Sequence, residues 1–257
     1  MKAAAGGPVC LAGGRGVEPR ASAKTRTTRD PMAFQGFGPQ AQPFFKALGF
    51  HQTKEWFEAN RAIYESEIKG PLGDLVEELA ARFAKSGTPL KGDRKASLFR
   101  INRDVRFAKD KSPYKTNAGA ALTRTGAKND PGLYYIHIAA DGCFAAAGFH
   151  QPEPEELARL RSAIARAPKA WGAMTAKLAT GGLALSDEYA MKRAPRGFED
   201  VADPVVAAAL RNKSFICSRP IADSRLCAPD LVGDLQAFAE DAMPLLEWGW
   251  SAVVDAR

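Results

Sequence analysis

The chain has 257 residues and a net charge of +7, and its 46% hydrophobic and 25% charged residues are typical of an ordinary globular protein. No run approaches the roughly 20 apolar residues that a membrane helix needs, so we predict no membrane span and no membrane partner. The four cysteines have no C-x-x-C spacing, which argues against a zinc site, and nothing indicates a disulfide framework, which favours a cytoplasmic location.

The net charge is distributed unevenly along the chain. Residues 1–31 carry +4 and residues 91–128 carry +8, which leaves −5 for all other residues. Apart from its first residues, the chain is therefore mildly acidic with one strongly basic segment. Such a local concentration of positive charge favours an anionic ligand more than a diffuse excess would.

Residues 1–33 are expected to lie outside the folded domain. The first 31 residues are rich in Gly, Ala, Arg and Thr and contain no aromatic residue, so they cannot bury enough apolar surface to offset the entropy of ordering. We interpret them as a disordered tail or as an extension upstream of a true start at Met32. Arginines among Ser and Thr leave organelle targeting as a third interpretation.

Apolar residues at helical spacing predict three helices before the basic segment. The first covers residues 40–49, and the second runs from about Lys54 to Lys69 with Thr53 as its N-cap. Gly70-Pro71 ends the second helix and opens the third. Asn60 lies on the apolar stripe of the second helix, where we favour a bond to a backbone group over a role in a binding site.

From residue 97 the pattern changes to a period of two, which predicts β-structure. In the first predicted strand, over 97–107, apolar residues alternate with polar ones, although Arg103 falls on the apolar side. Arg103 is either buried with a partner or re-aimed by a β-bulge. A second strand is predicted over Lys115–Thr123, and a hairpin is predicted over 133–149 about Asp141-Gly142.

Helical spacing returns in the last hundred residues. It predicts helices after Pro154 and Pro168, a short helix over 203–212, and a C-terminal helix from about Asp230 that Pro244 kinks or restarts. A short strand is predicted at the sequence Phe215–Ser218. We therefore predict an α+β fold whose antiparallel sheet is built mainly from residues 97–150 and 213–219 and is packed by N- and C-terminal helices. The predicted domain is single and covers residues 34–252.

Several motifs across this domain carry a family resemblance. They are Phe44-Phe45 with Leu48, Trp56-Phe57 with Asn60-Arg61 and Tyr64, the runs 99–107 and 109–116, Pro152 with Leu157, and the runs 192–198 and 213–215. In these motifs the chain resembles a bacterial and fungal family of conserved hypothetical proteins, classed as a domain of unknown function. The family usually carries a His-Pro pair where this chain has Asp203-Pro204. The resemblance supports one domain and implies no assigned reaction.

The basic segment is the best candidate for a functional site. Guanidinium groups bind phosphate or carboxylate in a bidentate manner, and lysines add point charge. The predicted ligand-binding residues are Arg100, Arg103, Arg106, Lys109, Lys111, Lys115 and, from a second basic element, Arg196. As catalytic groups we nominate Asp104, which could act as a base if burial raised its pKa, and Tyr114, which could donate a proton. We predict no metal and no cofactor.

Three functions remain open from the sequence. The first is binding of a small anionic ligand in a basic pocket with aromatic walls from Trp56, Tyr114 or Tyr134, with or without catalysis. The second is a structural or interaction protein in which Arg103 and Asp104 belong to an internal salt-bridge network. The third, which we favour least, is a weak nucleic-acid-binding module. The sequence does not indicate an oligomeric state.

Overall fold

The computed structural model describes residues 33–254. The interpretations of the N-terminal segment as a tail, an extension or a targeting sequence lie outside these residues. Apolar side chains from every helix and strand of the described part contribute to one continuous buried cluster. No helix within residues 33–254 is long and apolar enough to cross a membrane.

The N-terminal helices follow the predicted boundaries closely. They are α1 (Ala41–Phe50), α2 (Lys54–Ile63), a π-helical segment (Tyr64–Lys69) that continues α2, and α3 (Gly70–Ser86). Thr53 caps α2, since its hydroxyl oxygen accepts a hydrogen bond from the backbone N–H of Trp56 at 3.2 Å. Gly87 ends α3 with a left-handed φ of 76°, a conformation that glycine adopts without steric cost.

The sheet has four antiparallel strands in the order β1-β2-β3-β4. Their bounds are β1 (Asn117–Thr123), β2 (Leu133–Ala139), β3 (Cys143–Phe149) and β4 (Phe215–Ile221). The turn between β2 and β3 contains Asp141-Gly142, as the hairpin signal predicts, and Gly142 has a φ of 147°. The predicted α+β class with an antiparallel sheet is confirmed.

The predicted strand over 97–107 is wrong as a regular strand. Isolated bridges pair Leu98 with Ala120 and Asn102 with Tyr114, and the register between the two bridges shifts by two residues. After a last ladder bond from the Arg103 N–H to the Pro113 carbonyl at 2.8 Å, the chain turns away from the sheet. Phe107, which the alternation places on the apolar side of that strand, is 94% exposed. The backbone pairing ends before the alternating sequence pattern does. It ends there because the partner segment contains Pro113, which has no N–H to donate to the ladder.

The C-terminal half supplies the remaining helices. They are α4 (Pro154–Arg166), α5 (Pro168–Thr180), α6 (Pro204–Leu210), the four-residue α7 (Asp223–Leu226), which the pattern does not predict, and α8 (Leu231–Val253). Helix α8 continues past Pro244, so the alternative in which the helix restarts there is wrong.

The two faces of the sheet have different environments. On one face the side chains of Tyr134, Ile136 and Ile138 are fully buried beneath helices, and the Tyr134 hydroxyl donates a hydrogen bond to the Leu235 carbonyl of α8 at 2.9 Å. On the other face, the alternate residues of β2 are only partly buried. The sheet is therefore covered on one face and open on the other, as antiparallel sheets commonly are.

Candidate functional site: a basic cleft

A cleft of about 700 Å³ lies between the α2–π-helical segment and residues 94–102, and we refer to it as the basic cleft. Its volume is within the range of about 300–1,000 Å³ of small-molecule sites. Six cationic side chains line it: Lys54, Arg61, Lys69, Arg94, Lys95 and Arg100. Only two acidic side chains, Glu58 and Glu65, line it with them. The lining therefore has an excess of positive charge.

Helical spacing brings the first group of charges to the cleft. Lys54, Glu58, Arg61, Glu65 and Lys69 follow one another three or four residues apart, which places them along one face of a helix. The chain can hold this charged face towards water because the apolar side chains of the same helix, such as Phe57, are buried. The rest of the basic lining comes from the irregular segment before and within the first pairing with β1.

Half of the cleft cations have acidic partners. Arg61 pairs with Glu58 at 2.5 Å, and this hydrogen bond lowers the pKa of the Glu58 carboxyl. Lys69 pairs with Glu65 at 2.9 Å. Arg94 reaches back to α3, where it forms ion pairs with Asp74 and with Glu77, the latter at 3.2 Å. The charges of these three cations are largely neutralised.

The other half of the cleft cations lack such partners. Within residues 33–254, the side chains of Lys54, Lys95 and Arg100 form no hydrogen bond and no ion pair. Arg100 acts only at longer range, where its charge contributes to the lowered pKa of Asp104. Three cations therefore line one concave surface without a hydrogen-bonded or ion-paired acid among residues 33–254.

Aromatic rings form the deeper wall of the basic cleft. Phe57 and Tyr114 stack with ring centroids 4.5 Å apart and an interplanar angle of 17°. Arg61 lies over the Phe57 ring at 5.2 Å, and burial raises the pKa of the neighbouring Tyr64 hydroxyl to about 12. Tyr114 is thus an aromatic wall of the site, as expected.

The two other aromatic side chains proposed as walls lie elsewhere. Trp56 packs against Phe44 and stacks on His51, with ring centroids 5.5 Å apart in both pairs. Tyr134 is fully buried on the covered face of the sheet. Asn60 donates its side-chain N–H to the Trp56 carbonyl at 2.8 Å, which agrees with the backbone-bonding interpretation of this residue.

Asp104 has the wrong environment for a general base. Its carboxylate accepts hydrogen bonds from the Arg106 guanidinium, with a shortest distance of 2.7 Å, and both side chains are exposed. This bonding lowers the pKa of Asp104, whereas the catalytic hypothesis requires burial to raise it. Because its guanidinium is bound to Asp104, Arg106 is not free to bind a ligand. Neither residue lines the basic cleft.

Arg103 forms an ion pair with Asp110. The Asp110 carboxylate also accepts a bond from the Ser112 hydroxyl at 2.6 Å, and these bonds, that from Ser112 first and that from Arg103 next, strongly lower the pKa of Asp110. Arg103 thus has a partner, as one of the two interpretations of this residue requires. With Lys115 and Tyr114 it lines a smaller cavity of about 350 Å³.

The predicted lysines have separate environments. Lys111 donates to the carbonyls of Val105 at 2.9 Å and Arg106 at 3.4 Å, which fastens the loop to itself. Lys109 is exposed. Lys115 is half-buried, with its ammonium group 5.5 Å from the centre of the Phe99 ring. Burial lowers the pKa of Lys115, and the positive charges of Arg100 and Lys128 lower it further.

Arg196 does not join the other predicted residues. Its side chain is exposed, and in the described part of the chain no hydrogen bond, ion pair or cavity connects it with the basic segment. Of the predicted site residues, only Arg100 and Tyr114 therefore line the basic cleft.

Sequence reasoning missed most of the cations in the cleft. Lys54 and Lys69 could have been found from the charged residues at helical spacing along α2 and the π-helical segment. Arg94 and Lys95 belong to the basic segment but precede the period-two pattern that directed attention to residues 99–107. No group of three or more His, Cys, Asp or Glu within residues 33–254 is arranged to hold a metal ion.

The fold and the cleft define an α+β protein with an antiparallel sheet, one helix-covered sheet face and a basic cleft beside the sheet edge. A family model described as "Conserved hypothetical protein (DUF2461)" matches residues 40–248. The chain belongs to this family. A comparison with curated proteins and another with solved structures each found no significant match.

Proposed function

We propose that the basic cleft binds a small molecule that carries a phosphate or carboxylate group. The observation that carries this proposal is the convergence of Lys54, Lys95 and Arg100, without hydrogen-bonded or ion-paired partners in the described residues, on one cleft of about 700 Å³. Like charges held together raise the free energy of the unliganded state, and an anion relieves that repulsion on binding.

The chemistry of the three unpaired cations suits an oxyanion. The planar guanidinium of Arg100 can donate two parallel hydrogen bonds to one phosphate or carboxylate group. Lys54 and Lys95 can add point charge from the two sides of the cleft, since one belongs to α2 and the other to the segment opposite. Arg61 and Arg94 also line the cleft, but their charges are already paired with acidic side chains.

A structural role is supported only for the loop that follows the pairing with β1. There the arginines at 103 and 106 are bound to acids of the same loop, in the manner of the network hypothesis. Because these pairs are largely exposed, we expect them to order the loop and to add little to global stability. We favour anion binding for the cleft because three of its cations form no hydrogen bond and no ion pair within residues 33–254.

The experiment is a titration of the full chain with inorganic phosphate, sulfate, succinate and a single-stranded oligonucleotide. Binding is measured by calorimetry and by thermal unfolding at low and high salt. Arg100→Ala and Lys95→Ala remove unpaired cleft cations. Arg106→Ala is the matched control, because it removes an arginine of the same segment that is already paired outside the cleft. We expect each cleft variant to weaken binding about fivefold or more, and the control to bind like the wild type.

Two results would overturn the proposal. The first is the absence of binding by any small anion at low salt. The second is an equal loss of affinity in Arg106→Ala and Arg100→Ala. This would show that anions bind through the overall positive charge of the segment and not in the cleft. If only a single-stranded oligonucleotide binds, with a steep dependence on salt, the nucleic-acid alternative replaces the small-ligand function.

A further inference from the structure

A second cavity, of about 540 Å³, lies on the open face of the sheet, and we refer to it as the aromatic groove. Its floor is formed by small or short side chains of β3 and β4, among them Ala146 and Ser218. Tyr135 and Phe144 stand on one side with ring centroids 6.2 Å apart. Tyr189 stands on the other side, with its ring in edge contact with His150 at 5.4 Å.

The groove runs across the strands and reaches both edges of the sheet. At the β4 edge, the backbone N–H of Ser186 donates to the Ile216 carbonyl at 2.9 Å, which fixes the segment that carries Glu188 and Tyr189. At the β1 edge, the N–H of Phe99 donates to the Gly119 carbonyl at 2.9 Å. Phe99 lines both the groove and the basic cleft, so the two cavities share a wall.

The two ends of the groove carry opposite charges. Beside Phe99, the ammonium groups of Lys115 and Lys128 lie 5.5 and 5.3 Å from the centre of its ring, and Arg100 is close enough to act electrostatically on Lys115. At the other end, Glu188 lines the groove and forms no ion pair within residues 33–254. A fitting ligand has an anion at the Phe99 end and N–H donors at the Glu188 end.

We propose that the aromatic groove binds the ring of a planar nitrogen heterocycle whose anionic group lies at the Phe99 end, which is the chemistry of a nucleotide. The inference rests on the proposed function only for the position of the anionic group. Aromatic walls suit a planar ring, because stacked and edge-to-face contacts both become available to it. The carboxylate of Glu188 and the hydroxyl of Ser218 accept hydrogen bonds, and a heterocycle with amino groups supplies the donors.

The charge pattern selects between ring classes. A benzoate or another ring with acidic substituents would bring negative charge towards Glu188. An uncharged aliphatic ligand would leave the cations beside Phe99 without an anionic partner, since Lys128 bonds only to the Leu98 carbonyl within residues 33–254. A nucleotide complements both ends of the groove, with its phosphate beside the cations and its base beside Glu188. The base offers N–H donors on its edge and two faces for stacking.

The test uses the full chain with five probes: inorganic phosphate, adenosine, adenosine 5′-monophosphate, guanosine 5′-monophosphate and a long single-stranded oligonucleotide. Ala146→Leu fills the floor of the groove without removing any polar group, and Ala176→Leu, on the exposed face of α5, is its matched control. Phe144→Ala removes one wall, with the fully exposed Phe107→Ala as its control. Thermal unfolding of each variant without ligand verifies the fold.

We expect a nucleotide to bind at least about tenfold more tightly than phosphate, and Ala146→Leu to reduce nucleotide affinity to that of phosphate. Glu188→Gln should weaken nucleotides and leave phosphate unchanged. Equal nucleotide affinity in Ala146→Leu and Ala176→Leu overturns the inference. So does a nucleotide that binds no more tightly than phosphate, in which case the anion site of the cleft stands alone.

Adenosine separates the groove from the cleft. If adenosine binds the wild type and not Ala146→Leu while phosphate never binds, the ring site is supported and the proposed anion function fails. Binding confined to long single-stranded oligonucleotides, with no mononucleotide affinity, overturns the inference in favour of a polymer.

Discussion

The basic cleft and the loop over residues 103–112 both take cations from the basic segment 91–128, yet the two regions differ in how their arginines and lysines are paired. In the loop, Arg106 pairs with Asp104 and Arg103 pairs with Asp110. In the cleft, Lys54, Lys95 and Arg100 keep their charge unpaired. The comparison teaches that charge density along a sequence does not locate a binding site. The position of the acidic partners decides which cations remain unpaired.

The difference has a simple geometric cause. A loop can bend until an acid two or seven residues away meets its arginine, so local acids are consumed locally. The cleft is formed by segments far apart in the chain, and the nearby acids Asp74 and Glu77 are already engaged by Arg94. Within residues 33–254 the three remaining cations form no ion pair, and their charges act on Glu58, Asp93 and Asp104 only at longer range.

The largest expected effect is on the residue where the two regions meet. Tyr114 is only 6% exposed and stacks on Phe57 of the cleft, while its backbone pairs with the segment that leads into the loop. We expect Tyr114→Ala to lower the free energy of unfolding by about 3 kcal/mol or more, because it opens a cavity in the core. Urea unfolding measures this change.

The control for that prediction is Tyr114→Phe, which keeps the ring and removes only the hydroxyl. We expect its stability to stay close to that of the wild type. If Tyr114→Phe is as unstable as Tyr114→Ala, the hydroxyl and not the stacked ring holds the two regions together.

A smaller effect is expected on the titration of the loop acids. Bonds from Ser112 and then Arg103 lower the pKa of Asp110, so its stabilising contribution is present above the unfolded pKa near 3.8 and is lost as the pH falls through the lower folded value. We expect Ser112→Ala and Arg103→Ala each to raise the pKa of Asp110. The pKa of Asp110 is measured from its carboxyl chemical shift by NMR between about pH 1 and pH 6.

The matched control for Asp110 is Arg100→Ala, because the charge of Arg100 contributes to the lowered pKa of Asp104 but not to that of Asp110. It should leave the titration of Asp110 unchanged. A large rise in the pKa of Asp110 in Arg100→Ala would show that the cleft and the loop form one electrostatic network, against the comparison drawn above.

The smallest expected effect concerns Lys115. Burial lowers its pKa, and repulsion from Arg100 and Lys128 adds to the shift. Because the unfolded chain then binds the proton more tightly, the free energy of unfolding should rise slightly as the pH increases from the folded pKa of Lys115 towards the ordinary lysine value of 10.5.

Arg100→Ala should move the pKa of Lys115 upward, and saturating phosphate should do the same if the anion lies near these groups. Nitrogen chemical shifts of the lysine side chain measure both. A pKa that phosphate does not move would place the bound anion away from Lys115, on the α2 side of the cleft.

Much of the fold was accessible from the sequence because its signals are local. Helical spacing and caps such as Thr53 set the helices, and Asp141-Gly142 set the hairpin, since each depends on residues within a few positions of one another. The prediction of a regular strand after Ser97 was wrong because it used the same kind of local signal. Its alternation is a local signal, but the length over which it pairs depends on the partner segment and its proline.

The site was predicted less completely than the fold. Arg100 and Tyr114 were identified from the basic segment, and both line the cleft. Lys54 lies on another element, and its approach to Arg100 depends on how α2 packs against the sheet edge. The sequence alone thus determined the periodic elements, the α+β class and an excess of positive charge. Only the tertiary structure decided which cations remain unpaired, because ion pairing depends on distances between side chains that lie far apart in the chain.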